Sequence, residues 1–266
     1  MAPSPPKGGG QDIKPTILAF HGSGSNATIH TVQLARLMRV LRPHFNVESL
    51  EAPFDSQAGP GILPFFDGCG PFKRWLPSTV TLEEMRSGTS TSDMAPEVEK
   101  LVRDAVYKIR GQGGRVVGLI GFSQGTKIVA GLLAASQALM GKLAATGTAT
   151  GSDWCAFAFG ISICGSYAPP LFPPSILGSG TALSGEKIRI PCLHVQGLQD
   201  QWKWAGQGLI EGWYLVGEGG SVVKEWDMGH FYPVRGEENE EIGRWVLGVV
   251  GEVGGGGNGD GNKEEG

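Results

Sequence analysis

The chain has 266 residues, of which 40% are hydrophobic, and a formal net charge of -4. This length and hydrophobic content suffice for one large domain with a sizeable core rather than two small ones. Lys and Arg are scattered without a basic run, which argues against a nucleic-acid partner. No uninterrupted apolar stretch reaches transmembrane length, so no membrane partner is expected.

Both ends of the chain are of low complexity. Residues 1–12 include KGGG and lack the apolar region of a signal peptide, and residues 251–266 are rich in Gly. Such segments bury too little apolar surface to offset the entropy of ordering, so we expect disordered tails around a domain at 13–250. The four cysteines lack C-x-x-C spacing, which favours a reducing compartment. With no signal peptide, the expected location is the cytoplasm.

The predicted elements alternate between strands and helices. In chain order they are a strand at Thr16–Phe20, a helix in TIHTVQLARLMRVL, a strand in FNVESLEAP, a helix in DMAPEVEKLVRDAVYKIRGQGG, a strand in RVVGLIGF, a helix in GTKIVAGLLAASQALM, strands in WCAFAFGISICG, KIRIPCLHVQG and SVVKEW, and a helix in NEEIGRWVLGVV. Helical spacing of apolar residues marks the helices, and short apolar runs mark the strands. The alternation predicts an α/β fold whose mostly parallel central sheet has helices on both faces.

Residues 53–94 interrupt this alternation. The part from 53 to 77 is rich in Pro, Gly and aromatic residues and shows no period, so we interpret it as a long structured loop. The part from 77 to 94 is polar, rich in Ser and Thr, and is interpreted as a surface insertion. Long loops in compact domains often act as lids or binding segments, which is the role we expect for 53–94.

The stretch GLIGFSQGTKIVAGLL places Ser123 between Gly121 and Gly125, after a predicted strand and before a predicted helix. In that setting G-x-S-x-G is typical of a nucleophile elbow, a sharp turn that lifts the serine hydroxyl clear of the sheet. The five-residue pattern G-x-S-x-G also occurs by chance in ordinary Gly-Ser turns. The flanking strand and helix favour the functional interpretation, with Ser123 as the candidate nucleophile.

A serine hydroxyl becomes a good nucleophile only when a base takes its proton. His194 and His230 are the histidines that follow Ser123, as the chain order serine, acid, histidine requires. His194 lies in an apolar strand and is expected to be buried, whereas His230, in the loop DMGHFYP, is the candidate base. Asp200, just past a predicted strand, is the candidate acid that orients the histidine, and Asp227 is the alternative.

An acyl-transfer site also needs donors for a developing oxyanion. The backbone N–H of Gln124 lies at the positive end of the predicted helix. The loop FHGSGSN offers the N–H of Ser23, with Gly24 as the alternative, and His21 is expected to shape this loop. Phosphate-binding patterns G-x-x-x-x-G-K-[ST] and G-x-G-x-x-G are absent from it, so no nucleotide cofactor is expected.

Aromatic side chains on the loops of the same sheet edge indicate an apolar substrate pocket. The candidate substrate-binding residues are Phe65, Phe66, Trp75, Tyr167 and Phe231, with Leu63 and Trp202 nearby. Packing under long loops is the alternative explanation for each of them. Arg74 could contact a carboxylate or a phosphopantetheine phosphate, or pair with a surface acid.

Five segments resemble the fungal serine hydrolase family of α/β-hydrolases, in the family's order and over about residues 15–250: ILAFHGSGSN, EAPFDSQAGPGILPFFDGCGPFKRWL, GLIGFSQGTKIVAGLL, PCLHVQGLQDQW and MGHFYP. The segment GPGILPFF…GPFKRWL looks like the branch found beside fungal polyketide synthases. The resemblance implies an α/β-hydrolase fold with Ser123 as nucleophile, Asp200 as acid and His230 as base.

The resemblance also implies esterase or thioesterase activity without a metal or cofactor. The implied substrate is a small acyl ester or a carrier-protein-bound thioester, with a polyketide synthase as a candidate partner. A short-chain carboxylesterase, in which GFSQG also occurs, and a non-catalytic binding protein on the same fold are the alternatives. Hydrolysis of a carbon–carbon bond by the same triad also stays open.

Overall fold

The computed structural model describes residues 13–147, 153–178 and 186–255. The expected tail at 1–12 and residues 256–266 lie outside these ranges. Residues 251–255 were expected in the C-terminal tail, but they continue the last helix, which runs over Gly236–Gly255. Val249 and Val250 pack against the core, and a helix anchored in this way adds further residues at low cost.

Within the described ranges, six strands form a parallel sheet, and two short strands form a separate antiparallel pair. The sheet contains β1 (Thr16–Phe20), β2 (Asn46–Leu50), β5 (Val116–Phe122), β6 (Phe159–Ile163), β7 (Cys192–Gly197) and β8 (Val222–Trp226), and the pair contains β3 (Phe54–Ser56) and β4 (Phe72–Arg74). The order across the sheet is β2-β1-β5-β6-β7-β8, with every neighbouring pair parallel. All carboxyl ends of these strands therefore meet at one edge.

The helices fill the connections between the strands. They are α1 (Ala27–Gln33), α2 (Ala35–Leu41), α3 (Leu82–Ser87), α4 (Pro96–Gly111), α5 (Gly125–Thr146), α6 (Pro174–Leu177), α7 (Lys203–Trp213) and α8 (Gly236–Gly255). The single helix predicted before β2 is divided at Leu34, which ends α1 and begins α2. Helix α4 begins at Pro96, because proline lacks the N–H that the first helical position leaves unpaired.

The core lies on both faces of the sheet, as the alternating pattern predicts. Successive residues of a strand point to opposite faces, so Leu18 and Phe20 of β1 pack on one side and Ile17 and Ala19 on the other. Helices α4 and α5 cover the first side, and α2 and α8 cover the second. All four of these β1 residues are completely buried. The sheet is thus a rigid platform for the loops at its carboxyl edge.

The 53–94 segment is more regular than the sequence indicates. Strands β3 and β4 pair within the part interpreted as a loop, and α3 lies within the part interpreted as an insertion. Helix α3 begins with a capping box in which the Thr81 side chain and the Glu84 carboxylate each bond the other's backbone N–H. Strands of three residues are too short to show a two-residue period, which is why the pair was missed.

Helix α5 is long and apolar enough, by length and composition, to span a membrane over Gly125–Ala145. Half of the most apolar 18-residue part of this helix is buried inside the structure, where the helix packs against β5 and β6. A central helix of an α/β core has the same composition, because its apolar residues face the sheet.

Candidate active site

Ser123 follows β5 directly and has a φ of 49°, in the left-handed region that non-glycine residues rarely adopt. Its N–H donates to the carbonyl of Ile163 on the neighbouring strand at 3.0 Å. A Cβ at Gly121 would lie 2.7 Å from the carbonyl carbon of Gly125, and one at Gly125 would overlap the carbonyl of Phe20. Both glycines of the motif are therefore required by the close approach of strand and helix.

Asp200 and His230 meet at the same edge of the sheet. His230 Nδ1 donates to Asp200 Oδ2 at 2.7 Å, and the Trp202 N–H donates to Asp200 Oδ1 at 2.8 Å. Burial alone would raise the pKa of the Asp200 carboxyl, but the hydrogen bond and the charge of His230, with the Trp202 N–H, hold it below its usual value. Asp200 is accordingly a carboxylate that fixes the proton of His230 on Nδ1.

The His230 ring is held between two aromatic side chains. Its centroid lies 5.0 Å from that of Phe122 and 4.7 Å from that of Trp202. Ser123 and His230 line one cavity, although no direct hydrogen bond joins them among the described residues. Hydrogen bonds between a nucleophile and its base are often long before substrate binds and shorten in the reacting complex.

The alternative acid, Asp227, has a different partner. It accepts a hydrogen bond from Gln199 Nε2 at 2.6 Å. His194 on β7 is completely buried against the Tyr214 ring, and burial lowers the pKa of its imidazole to about 3. The expectation that His194 is a buried strand residue is therefore confirmed.

The two expected oxyanion donors open onto the same cavity as Ser123. Ser23 and Gln124 both line it. Within the described ranges, no protein acceptor is found for the backbone N–H of either residue. Gln124 precedes the first turn of α5, so its N–H lies at the positive end of the helix dipole. Two unpaired N–H groups beside a serine form an arrangement that can bind a carbonyl oxygen.

The loop that carries Ser23 is held by the 53–94 segment. The Gly24 N–H donates to the carbonyl of Lys73 at 2.8 Å, the Gly59 N–H donates to the carbonyl of Gly24 at 2.9 Å, and the Lys73 N–H donates to the carbonyl of Ser25 at 2.6 Å. Gly24 has a φ of 74°, and a Cβ there would overlap the backbone of Gly59. This segment therefore supports the backbone that positions the Ser23 N–H.

His21 and Trp75 lie beneath the loop. His21 Nδ1 donates to the carbonyl of Gly22 at 2.7 Å, and its Nε2 accepts from the Ala52 N–H at 3.1 Å. Burial lowers the pKa of His21 to about 4, so the ring is neutral and shapes the loop as expected. Trp75 Nε1 donates to the carbonyl of His21 at 2.7 Å, and the Trp75 N–H donates to Gln124 Oε1 at 2.7 Å.

The prediction that Trp75 contacts substrate is wrong. Its side chain is completely buried against Phe20 and His21, away from the cavity. An indole ring can be buried when its one N–H donor finds a carbonyl acceptor, as that of Trp75 does. The sequence around Trp75 does not indicate that such an acceptor is present.

The cavity has a volume of about 600 Å³ and is mostly apolar. Of the predicted substrate-binding residues, Phe65, Tyr167 and Phe231 line it, whereas Phe66 does not. Arg74 is also outside the lining, where it donates to the carbonyl of Val80. The lining also includes apolar residues that were not predicted, among them Ile62, Met85, Phe122 and Ala205. Phe122 could have been predicted from the sequence, because it directly precedes Ser123 in the elbow and must lie beside it.

Cys164, Asp200 and His230 are a group of side chains whose donor atoms lie within 4.8 Å of one another. By residue type such a trio could hold a metal ion. Here His230 Nδ1 and Asp200 Oδ2 are hydrogen-bonded to each other, and Cys164 Sγ is directed at backbone carbonyls. We assign no metal to this trio.

A parallel sheet with a serine in a strained strand-to-helix turn, and an aspartate–histidine pair at the same edge, defines an α/β-hydrolase. Among solved structures, Arabidopsis thaliana SOBER1 has this fold, with a TM-score of 0.52 at 18% identity over 89% of this chain and 99% of that chain. Esterase B of Lactobacillus rhamnosis, in a phosphonate-inhibited structure, gives 0.50 at 15% identity over 91% and 77%.

The serine hydrolase (FSH1) family model matches residues 11–242, and the chain belongs to that family. Similar relatives include esterase citA of Monascus ruber, 33% identical over 83% of this chain and 86% of the relative. Esterase pigG of Monascus ruber is 31% identical over 90% and 93%, and esterase GME11355 of Pestalotiopsis microspora is 28% identical over the same shares. The protein is therefore an enzyme of the serine hydrolase class, similar to fungal esterases.

Proposed function

We propose that the protein hydrolyses an acyl ester or thioester through a covalent acyl-enzyme at Ser123. His230 acts as the general base and Asp200 as the acid that orients it. The observation that carries this proposal is the 2.7 Å hydrogen bond between His230 Nδ1 and Asp200, beside the cavity onto which Ser123 opens. With its proton fixed on Nδ1, the imidazole has Nε2 available as an acceptor.

In the first half-reaction His230 takes the hydroxyl proton of Ser123 while Oγ attacks the substrate carbonyl carbon. The N–H groups of Gln124 and Ser23 stabilise the resulting oxyanion. Each such donor typically contributes about 10²–10³-fold in rate. Asp200 stays ionised and stabilises the imidazolium. When the tetrahedral intermediate collapses, the bond to the leaving group breaks and the imidazolium gives its proton to the departing oxygen or sulfur.

In the second half-reaction His230 takes a proton from water, whose oxygen attacks the acyl carbon bound to Ser123. Collapse of this intermediate releases the carboxylic acid, and the proton returns to Ser123 Oγ. A thiolate leaves more readily than an alkoxide, so protonation of the leaving group matters less for a thioester. The same residues therefore serve both substrate classes.

The cavity supports an apolar acyl group as the substrate. Its volume of about 600 Å³ falls within the range that suits small organic ligands, and Phe65, Tyr167, Trp202 and Phe231 supply aromatic surface. The resemblance of GPGILPFF…GPFKRWL to the branch beside fungal polyketide synthases favours an acyl or polyketide chain, presented as a soluble ester or on a carrier protein. We propose that this activity is cytoplasmic, because the cysteine spacing favours a reducing compartment.

The test of the mechanism is Ser123→Ala. Loss of the nucleophile should lower kcat on a p-nitrophenyl ester by roughly 10⁴–10⁶-fold. A fluorophosphonate probe should label the wild type at Ser123, located by peptide mass spectrometry, and leave the variant unlabelled. Ser162→Ala is the control, because this buried hydroxyl on β6 has no partner in the described residues. Labelling of Ser123→Ala at wild-type level would refute the proposal and favour a different nucleophile.

The substrate class is tested by matched acyl groups. One acyl chain is offered as a carrier-protein thioester and as a short soluble ester, and the two values of kcat/KM are compared. A higher value for the carrier thioester supports release of a chain from a synthase. A higher value for the soluble ester supports the short-chain carboxylesterase alternative.

A further inference from the structure

Cys164 follows β6 at the carboxyl edge of the sheet and has a φ of 48°. Within the described ranges, Ser123 is the other non-glycine residue with a positive φ. A backbone held in this region is strained and persists where the surrounding structure enforces it, often at functional sites. The side chain of Cys164 is completely buried, so it contacts neither solvent nor substrate.

The thiol of Cys164 is surrounded by hydrogen-bond acceptors. Sγ lies 3.6 Å from the carbonyl oxygen of Gly229 and 3.7 Å from that of Phe231. These two carbonyls belong to the residues on either side of His230. The Cys164 N–H donates to the carbonyl of Val195 on β7 at 2.8 Å, which fixes the cysteine itself to the sheet.

Asp200 also lies close to the same thiol. Its carboxylate and the His230 ring nitrogen both lie within 4.8 Å of Sγ. Burial and the nearby Asp200 charge raise the pKa of the Cys164 thiol, so the sulfur keeps its proton and remains a donor. A single S–H group therefore faces the two backbone carbonyls that flank the histidine and the carboxylate that orients it.

We propose that Cys164 is a positioning residue for the His230–Asp200 pair. Its single S–H, shared between the carbonyls of Gly229 and Phe231, links the backbone around His230 to the end of β6, and so holds the imidazole against Asp200. This inference rests on the proposed function, in which His230 is the base. Cys164 takes part in no bond-making step, and its effect is on the geometry of the proton transfer.

The experiment compares Cys164→Ala, Cys164→Gly and Cys164→Ser. Ala and Gly remove the donor, and Gly also tolerates the positive φ, so it guards against a variant that fails to fold. We expect both to lower kcat by about 10- to 100-fold with KM within about twofold, since small displacements of a catalytic group have effects of this size. Ser keeps a donor at this position, and we expect it to retain at least about half of the wild-type kcat.

Cys155→Ala is the matched control. Cys155 is also completely buried, and its Sγ also donates to a backbone carbonyl, that of Leu132 at 3.5 Å. Its loss should lower the melting temperature much as Cys164→Ala does, yet leave kcat unchanged. Equal kcat in Cys155→Ala and Cys164→Ala, or an equal loss in Cys164→Ser and Cys164→Ala, would overturn the inference.

A readout without turnover separates this inference from the proposed function. The Nδ1 proton shared by His230 and Asp200 should give a downfield resonance in the proton NMR spectrum of the resting protein. We expect it to persist in Cys164→Ser and Cys155→Ala and to broaden or vanish in Cys164→Ala. If the wild type shows this resonance but hydrolyses no ester, the proposed function fails while the role of Cys164 stands. A resonance unchanged in Cys164→Ala would refute that role.

Discussion

At the scale of single residues, the two oxygens of Asp200 have different partners. Oδ1 accepts from the Trp202 N–H at 2.8 Å, and Oδ2 accepts from His230 Nδ1 at 2.7 Å. Both partners are donors, so each oxygen of Asp200 must accept a hydrogen bond. A carboxylate satisfies both, whereas a side-chain amide satisfies only one.

Asp200→Asn should therefore fix the wrong tautomer of His230. The Trp202 N–H would hold the amide oxygen, so the amide NH₂ would face His230 and require Nδ1 to accept. The proton would then sit on Nε2, which could no longer act as the base. We expect kcat to fall by roughly 10³–10⁴-fold with a small change in melting temperature.

Asp227→Asn is the control for this change. Its carboxylate contacts Gln199 and not His230, so ester hydrolysis should stay at the wild-type level. Kinetics on one ester at several pH values would measure both variants. If Asp227→Asn lost activity as severely as Asp200→Asn, Asp200 would not be the acid.

The polar residues of the site were predictable from sequence, because each follows a recognisable strand and parallel strands end at one edge. The pocket aromatics were not, since an aromatic residue on a loop can face inward or outward. Trp75 faces the core because its two N–H groups find Gln124 and His21 there. Phe65, by contrast, is 84% exposed and lines the cavity. Only tertiary contacts distinguish these cases.

At the scale of elements, the β3–β4 pair and the chain before β4 contact the loop that carries Ser23, one of the two candidate oxyanion donors. Gly59 accepts no side chain, because a Cβ there would overlap the carbonyl of Ser23. Adding a methyl group should push the Ser23 backbone away from Ser123. The 53–94 segment thus supports the loop that carries Ser23 through this close contact as well as through its backbone hydrogen bonds to Gly24 and Ser25.

Gly59→Ala should lower kcat by about 10²–10³-fold, the usual cost of losing one oxyanion donor. Gly208→Ala in α7 is the control, since a Cβ there meets nothing within 4 Å and Ala favours a helix. Circular dichroism would check that both variants fold, and kcat would be measured on the same ester. A Gly59→Ala enzyme with wild-type kcat would show that the Ser23 donor is not needed.

Helix α7 shows why some elements escaped prediction. Its sequence KWAGQGLIEGW contains three glycines, which lower helix propensity by about 1 kcal/mol each relative to Ala. One of them, Gly206, packs against Gln196, because a Cβ there would lie 2.7 Å from Gln196 Nε2 and displace the end of that side chain. Tertiary packing of Leu209 and Ile210 maintains the helix despite its composition.

At the scale of the whole molecule, the parallel sheet was predictable because its four central strands, β1, β5, β6 and β7, are buried on both faces and read as apolar runs. That same burial traps three neutral histidines. His21, His30 and His194 are completely buried, and burial lowers the pKa of His21 to about 4, of His194 to about 3, and of His30 well below its ordinary value. In the unfolded chain each would titrate near 6.5.

These histidines should make the fold sensitive to mild acid. Between about pH 4 and 6.5 the unfolded chain binds protons that the folded chain excludes, so the free energy of unfolding falls as the pH falls. Each histidine adds roughly 1.4 kcal/mol per pH unit to this slope within its window, and the contribution is fully favourable above pH 6.5. Urea unfolding at several pH values from 4.5 to 7.5 would measure the slope.

His194→Leu isolates one histidine of the three. Both ring nitrogens of His194 lack partners in the described residues, so the change removes a titrating group without breaking a hydrogen bond. We expect the slope to fall by roughly one proton, or about 1.4 kcal/mol per pH unit. An equal slope in His194→Leu and the wild type would mean that His194 is protonated in the folded protein, contrary to its burial against Tyr214.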